Sequence, residues 1–161
     1  MDHVAVVRTS PAETFELRRR VLRPHRTLAA MALAGDELPD TAHFCVIVED
    51  RVVGTVNVRR EAPPWDANRF PAWRLRGMAT DPTWRRRGIG TALLNSVLDH
   101  VASEGGGLLW CNSRLEAVDL YRRGGLETRG DQWEDPELGP HVAMSRSVAG
   151  VGSPEDPGRR P

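Results

Sequence analysis

The stretch Arg85-Arg86-Arg87-Gly88-Ile89-Gly90 joins an extended run at residues 73–80 to an amphipathic helical pattern at residues 88–104. A turn that passes from strand to helix through two glycines fixes a strand–turn–helix unit, and few folds accommodate one. Glycine lets the backbone come close to a ligand where a Cβ would block it. The helix beyond opens with unpaired N–H groups and the positive end of its dipole. Together these suit an anionic pyrophosphate. The plainer alternative is a solvated, arginine-rich turn.

Spacing decides between the known phosphate loops. A Walker loop needs a lysine directly after its second glycine, and this chain contains no lysine. A dinucleotide fingerprint needs Gly or Ala three residues past the second glycine; Leu93 stands there. The chain also lacks the repeated strand–helix–strand pattern of a dinucleotide fold.

Along the chain, strands are expected at residues 3–8, 44–49, 52–60, 73–80, 108–111, 126–134 and 141–146, with Val, Ile and Thr dominating 44–49 and 52–60. Ser10-Pro11 with Glu13 reads as a capping box opening a helix to Leu22, and a second short helix is expected at 27–33. Residues 50–51 form the turn of a hairpin, and 62–71, with three prolines, a loop. The helix at 88–104 shows one apolar stripe, Ile89, Leu93, Leu94, Val97, Leu98 and Val101. Glycines 105–107 stop it. A further helix spans 115–123, and 149–161, rich in Gly, Pro and charge, reads as a disordered tail. The unit 73–80, helix, 108–111 is a right-handed crossover between parallel strands. The whole is a single-domain α/β (α+β) fold over residues 1–148, with a mixed central sheet of about seven strands and about four helices.

At 161 residues the chain can bury a core without staples. The N-terminus has no signal-peptide pattern, no apolar run reaches membrane length, and Cys45 and Cys111 lie in strand-like apolar runs as buried thiols. A cytoplasmic protein without a membrane partner is expected. No Cys/His spacing suits a metal, so none is expected. The 22 basic residues balance 22 acidic ones, which disfavours nucleic acid as partner. All 22 basic residues are arginine, which fits either a compositional bias of the genome or avoidance of self-acetylated lysine.

The run Met78-Ala79-Thr80-Asp81-Pro82-Thr83-Trp84-Arg85-Arg86-Arg87-Gly88-Ile89-Gly90-Thr91-Ala92-Leu93-Leu94 resembles the acyl-CoA loop of the GCN5-related N-acetyltransferase (GNAT) superfamily, bacterial type. A second block, Ala117-Val118-Asp119-Leu120-Tyr121-Arg122-Arg123-Gly124-Gly125-Leu126, is similar to the family's Ala-x-x-x-Tyr-x-x-x-Gly-Phe block, with Leu126 in place of Phe. The two stand in the family's order. The resemblance implies that the fourth and fifth strands splay apart and that acetyl-CoA lies in the resulting V. It implies that Met78, Ala79 and Thr80 hold the pantetheine arm through their backbone. It also implies that Arg85, Arg86, Arg87, Gly88, Ile89, Gly90 and Thr91 hold the pyrophosphate or 3′-phosphate, and that Tyr121 is the general acid.

Transfer to an amine requires the amine to be neutral. A lysine side chain (pKa about 10.4) needs a base far more than an α-amino group (about 8). Two candidates present themselves. Glu61 ends the third strand near the expected acceptor cleft, and His141 opens the last strand after Gly139-Pro140. Imidazole is the side chain whose ordinary titration lies nearest neutrality. Each residue has a packing or surface role as its alternative. Asn112 ends the fifth strand at the mouth of the splay, where it can reach CoA or a water. The family's Asn more often stands seven residues before the Tyr, where this chain has Arg114. Trp65 either walls the acceptor site or anchors its loop.

The expected activity is direct transfer from acetyl-CoA to an amine within a ternary complex, the amine being a small molecule, a peptide N-terminus or a lysine. A non-catalytic acyl-CoA sensor is the alternative. Homodimerisation is left open.

Overall fold

The computed structural model describes residues 4–151. Seven strands form one sheet: β1 (Val6–Thr9), β2 (Ala42–Val48), β3 (Arg51–Arg60), β4 (Ala72–Thr80), β5 (Gly106–Arg114), β6 (Glu127–Asp135) and β7 (Gly139–Ala149). Their spatial order is β1-β2-β3-β4-β5-β7-β6. Only β4 and β5 run parallel, with α2 (Ile89–Ser103) between them in sequence. The other α-helices are α1 (Phe15–Leu22) and α3 (Val118–Arg123). Among the described residues, no helix is long and apolar enough to cross a membrane.

The apolar stripe of α2 does what its periodicity requires. Ile89, Leu93, Leu94, Val97 and Val101 are buried, and Leu98 packs half-buried beside them. They meet Val53, Val56, Trp73, Leu109 and Met144 from the sheet in one continuous core. Fully burying each such side chain stabilises by about 1.5–3 kcal/mol. Cys45 and Cys111 are both free and buried.

Several local expectations are corrected. The β2–β3 turn is Glu49-Asp50, both at positive φ (51° and 64°), and Arg51 already pairs with Val48. Two left-handed residues in a two-residue loop match the right-handed twist of the flanking strands. Ser10 makes no side-chain cap; residues Pro11–Thr14 form a 3₁₀ turn instead, before α1 begins.

The helix expected at 27–33 reduces to one 3₁₀ turn, Ala29–Met31, leaving three α-helices among the described residues. Tertiary bonds take the groups a helix would use. The Met31 carbonyl accepts from Arg18 Nη2 at 2.8 Å, and the Leu33 N–H donates to Asp36 Oδ2 at 2.8 Å.

Gly106 and Gly107 belong to β5 and not to the helix stop. At the C-terminus Ala149 ends β7, and the Val151 N–H donates to Ala102 O at 2.9 Å. The rest of the expected tail, 152–161, lies outside the described residues, as does the start of the first expected strand at His3.

Candidate active site

β4 and β5 are paired only from Ala72 to Arg74, against Leu108 to Trp110. Beyond Arg74 the edge of β4 turned toward β5 meets no strand, and the two diverge. Just past the parting, β4 carries a bulge: Gly77 and Met78 together oppose Val56 of β3. Gly77 sits at φ 67°, and Thr55 Oγ1 donates to its carbonyl at 3.1 Å. A Cβ there would come within 2.9 Å of Asn57 Nδ2, so both conformation and space call for glycine.

The splay opens a cleft of about 280 Å³. Its walls come from β4, β5, the end of α1, the segment after α1, α3 and the β6–β7 hairpin. Met78, Asn112, Tyr121 and His141 meet on it. Asn112 is exposed there, whereas Ala79 is buried and offers its backbone alone.

Tyr121 projects from α3 and is buried. Burial pushes its phenol well above the ordinary range, and the neighbouring Cys111 adds to this. The Cys111 thiol is itself pushed up to about 12 by burial. Both groups keep their protons at neutral pH, so Tyr121 is a donor.

His141 Nδ1 lies 2.8 Å from the Gly139 carbonyl. That contact assigns the proton to Nδ1 and leaves Nε2 as an acceptor. The ring stacks on Trp133 with centroids 5.7 Å apart at 28°. Trp133 also lines the cleft, although its surroundings in the sequence give no sign of it.

Glu61 is not brought to the cleft. Arg74 Nη1 donates to its Oε2 at 3.2 Å, and Arg59 Nη2 makes an ion-pair contact with Oε1 at 2.6 Å, without the direction of a hydrogen bond. A carboxylate clamped between two guanidinium groups faces cations and not an acceptor amine. Trp65 likewise stands off the cleft. It packs edge-on against the buried Trp110, centroids 5.8 Å apart, with Arg129 over its face at 4.7 Å, and anchors its loop.

The turn into α2 is tethered at its start by Asp81. Its Oδ1 accepts from Thr83 N and Oγ1 at 2.9 and 2.8 Å, and its Oδ2 accepts from Arg20 Nη1 at 3.0 Å. The Thr83 bonds first, then Arg20, hold this carboxyl below its usual range. Arg86 and Gly88 follow at φ 64° and 81°. A Cβ on Gly88 would meet nothing within 4 Å. The space over the helix start is therefore open, and the first N–H groups of α2 have no intrahelical acceptor.

Arg85, Arg86, Arg87 and Thr91 are exposed, with Arg87 stacked on Trp84 at 4.5 Å. Ile89 points into the core, so only its backbone faces the turn. Thr80, half-buried, closes β4 just before the turn.

Sequence reading missed the guanidinium groups of the cleft, chiefly Arg18, Arg76 and Arg114. The alternation Arg74-Leu75-Arg76 within a strand was the available signal. Among the described residues, no group of three or more His, Cys, Asp and Glu side chains is placed to hold a metal ion.

Comparison with known proteins adds four findings. Residues 9–125 match the Acetyltransferase (GNAT) family. The uncharacterized N-acetyltransferase YitI of Bacillus subtilis (strain 168) is 27% identical over 139 residues, 86% of this chain and 93% of that protein. Among solved structures, an aminoglycoside 6′-N-acetyltransferase complexed with coenzyme A superposes with TM-score 0.71 at 13% identity, covering 92% of this chain and 99% of that one. A phosphinothricin acetyltransferase from Sinorhizobium meliloti in complex with AcCoA gives TM-score 0.71 at 17% identity, covering 93% and 91%. At these identities the structural likeness concerns the fold.

Proposed function

Because the chain belongs to the Acetyltransferase (GNAT) family, we propose that it transfers an acetyl group from acetyl-CoA to an amine within a ternary complex. The observation that carries this reading is the unpaired stretch of β4, with Tyr121 and His141 reaching the same cleft. A free strand edge offers amides and carbonyls to an extended amide-bearing arm, as in strand addition. The open turn at Gly88 and the start of α2 fit a pyrophosphate. The two sites are contiguous along one chain segment, from Met78 to Thr91.

In this reading the amine enters from the side of α1 and the β6–β7 hairpin. His141 Nε2 takes the proton that the amine loses as its nitrogen attacks the thioester carbonyl carbon. The C–N bond forms as the C–S bond breaks, and the Tyr121 hydroxyl protonates the leaving sulfur. The raised phenol pKa makes that transfer uphill toward a free thiolate, whose ordinary pKa is about 8.5. Contact and exclusion of water offset part of that cost. Backbone N–H groups of the bulged β4 supply the dipoles for the carbonyl oxygen.

The test is thiol release from acetyl-CoA with a panel of amine acceptors. Acceptor-dependent release supports the reading. Tight acetyl-CoA binding with no transfer to any amine would point to the sensor instead.

A further inference from the structure

Five arginines, Arg18, Arg23, Arg74, Arg76 and Arg114, face the cleft, against a single carboxylate, Asp135. Three of them have carboxylate partners. Arg18 pairs with Asp36 at 3.4 Å, Arg74 with Glu61 at 3.2 Å, and Arg23 with Glu137 at 2.5 Å. Asp135 Oδ1 accepts the Glu137 and Leu138 N–H groups, both at 2.8 Å.

Arg76 and Arg114 differ. Arg76 Nη1 donates to the Ala34 carbonyl at 3.1 Å, and Arg114 Nη2 to the Leu22 carbonyl at 2.9 Å. Neither has a carboxylate in its bonds. Each guanidinium carries five donors, so most remain unspent. Both are half-buried, and a partly desolvated cation with no carboxylate hydrogen-bonded to it is costly. Burial lowers both pKa values, that of Arg76 to about 10, with Arg74 beside it adding repulsion.

The two groups come from opposite arms of the splay, one on β4 and one on β5. Arg114 also pairs in register with His141 across β5 and β7. An acceptor whose amine approaches His141 therefore presents its remainder to these cations. A planar, bidentate anion is what a guanidinium binds best. The cleft volume of about 280 Å³ lies at the low end for small-molecule sites. Its charge repels a polycation.

Resting on the acetyltransferase reading above, we propose that the acceptor is a small amine bearing a carboxylate, an amino acid or close analogue, whose carboxylate is held by Arg76 and Arg114.

The test measures thiol release from acetyl-CoA with the common amino acids, their carboxamides and a polyamine, alongside calorimetric titration of acetyl-CoA. At least one amino acid should be acetylated with kcat/KM roughly tenfold or more above its carboxamide, mostly through KM. Arg76→Gln and Arg114→Gln should each erase most of that preference, read as the ratio of the two kcat/KM values, while the protein still binds acetyl-CoA. If the variants fail to fold, the preference of the unaltered protein decides. Acetyl-CoA binding with a carboxamide or polyamine used as well as any amino acid, or with no amino acid used, overturns this proposal and leaves the reading of the cosubstrate site standing. Failure to bind acetyl-CoA overturns both.

Discussion

Gly90 of α2 packs so closely on Leu120 of α3 that a Cβ at Gly90 would meet Leu120 Cδ2 at 3.3 Å. The contact locks together the two sequence blocks that carry the family resemblance. Leu120 directly precedes Tyr121, so the spacing of α2 and α3 sets where the phenol stands. Gly88, two residues earlier, has open space around it and is required for its φ of 81°. Conformation therefore calls for glycine at 88 and packing calls for it at 90.

Gly90→Val should destabilise the fold by about 1–3 kcal/mol, as overpacking generally does, and lower turnover by shifting α3. Urea denaturation read beside activity checks this. Unchanged stability would mean that α3 yields freely and does not fix Tyr121.

Tyr121→Phe keeps the buried ring and removes one hydroxyl. If the phenol is the general acid, kcat should fall about 10²–10⁴-fold with acetyl-CoA affinity unchanged. Retained activity would assign the proton to water. Loss of binding and turnover together would make Tyr121 a packing residue.

Asp81 should link the turn into α2 to pH. Its carboxyl is held low, chiefly by the Thr83 bonds. The stability it contributes is complete above the ordinary Asp pKa of about 3.9 and is lost as pH falls through the lowered folded value. Asp81→Asn should destabilise the protein at neutral pH and flatten the loss of stability on acidification. Denaturant titrations across that range test it, and an unaltered slope would remove Asp81 from the linkage.

Arg85 and Arg86 are exposed beside the turn, while Arg87 is occupied by Trp84. Affinity for CoA should exceed that for dephospho-CoA, and Arg87→Ala should matter least of the three. Equal affinities would mean that only backbone amides bind.

How much of this was legible depended on the range of the forces involved. The α2 stripe from Ile89 to Val101 is a local pattern, and the helix formed to within a residue of its expected ends. The 27–33 segment has helix-forming residues, yet seven are too few to hold a helix unaided. Arg18, distant in sequence, and Asp36, just past the segment, captured its backbone groups. Glu61 read as a base because its place at the end of β3 was visible and its clamp, Arg59 and Arg74, was not. The splay came only through the family resemblance. No local pattern announces that pairing stops at Arg74, though Gly77 marks the bulge once the β3 register is known. The cationic lining escaped for a similar reason: Arg76 and Arg114 are ordinary strand residues until the two arms face one cleft.

Whether the open turn at Gly88 and the free edge of β4 hold acetyl-CoA is a question of binding. Calorimetric titration of the protein and of Gly88→Val addresses it most directly. The account predicts saturable one-to-one binding by the unaltered protein. It predicts binding at least about a hundredfold weaker in a folded Gly88→Val, since a β-branched residue both strains the left-handed turn and fills the space over the helix start. No binding by the unaltered protein, or equal affinity in the variant, would contradict it.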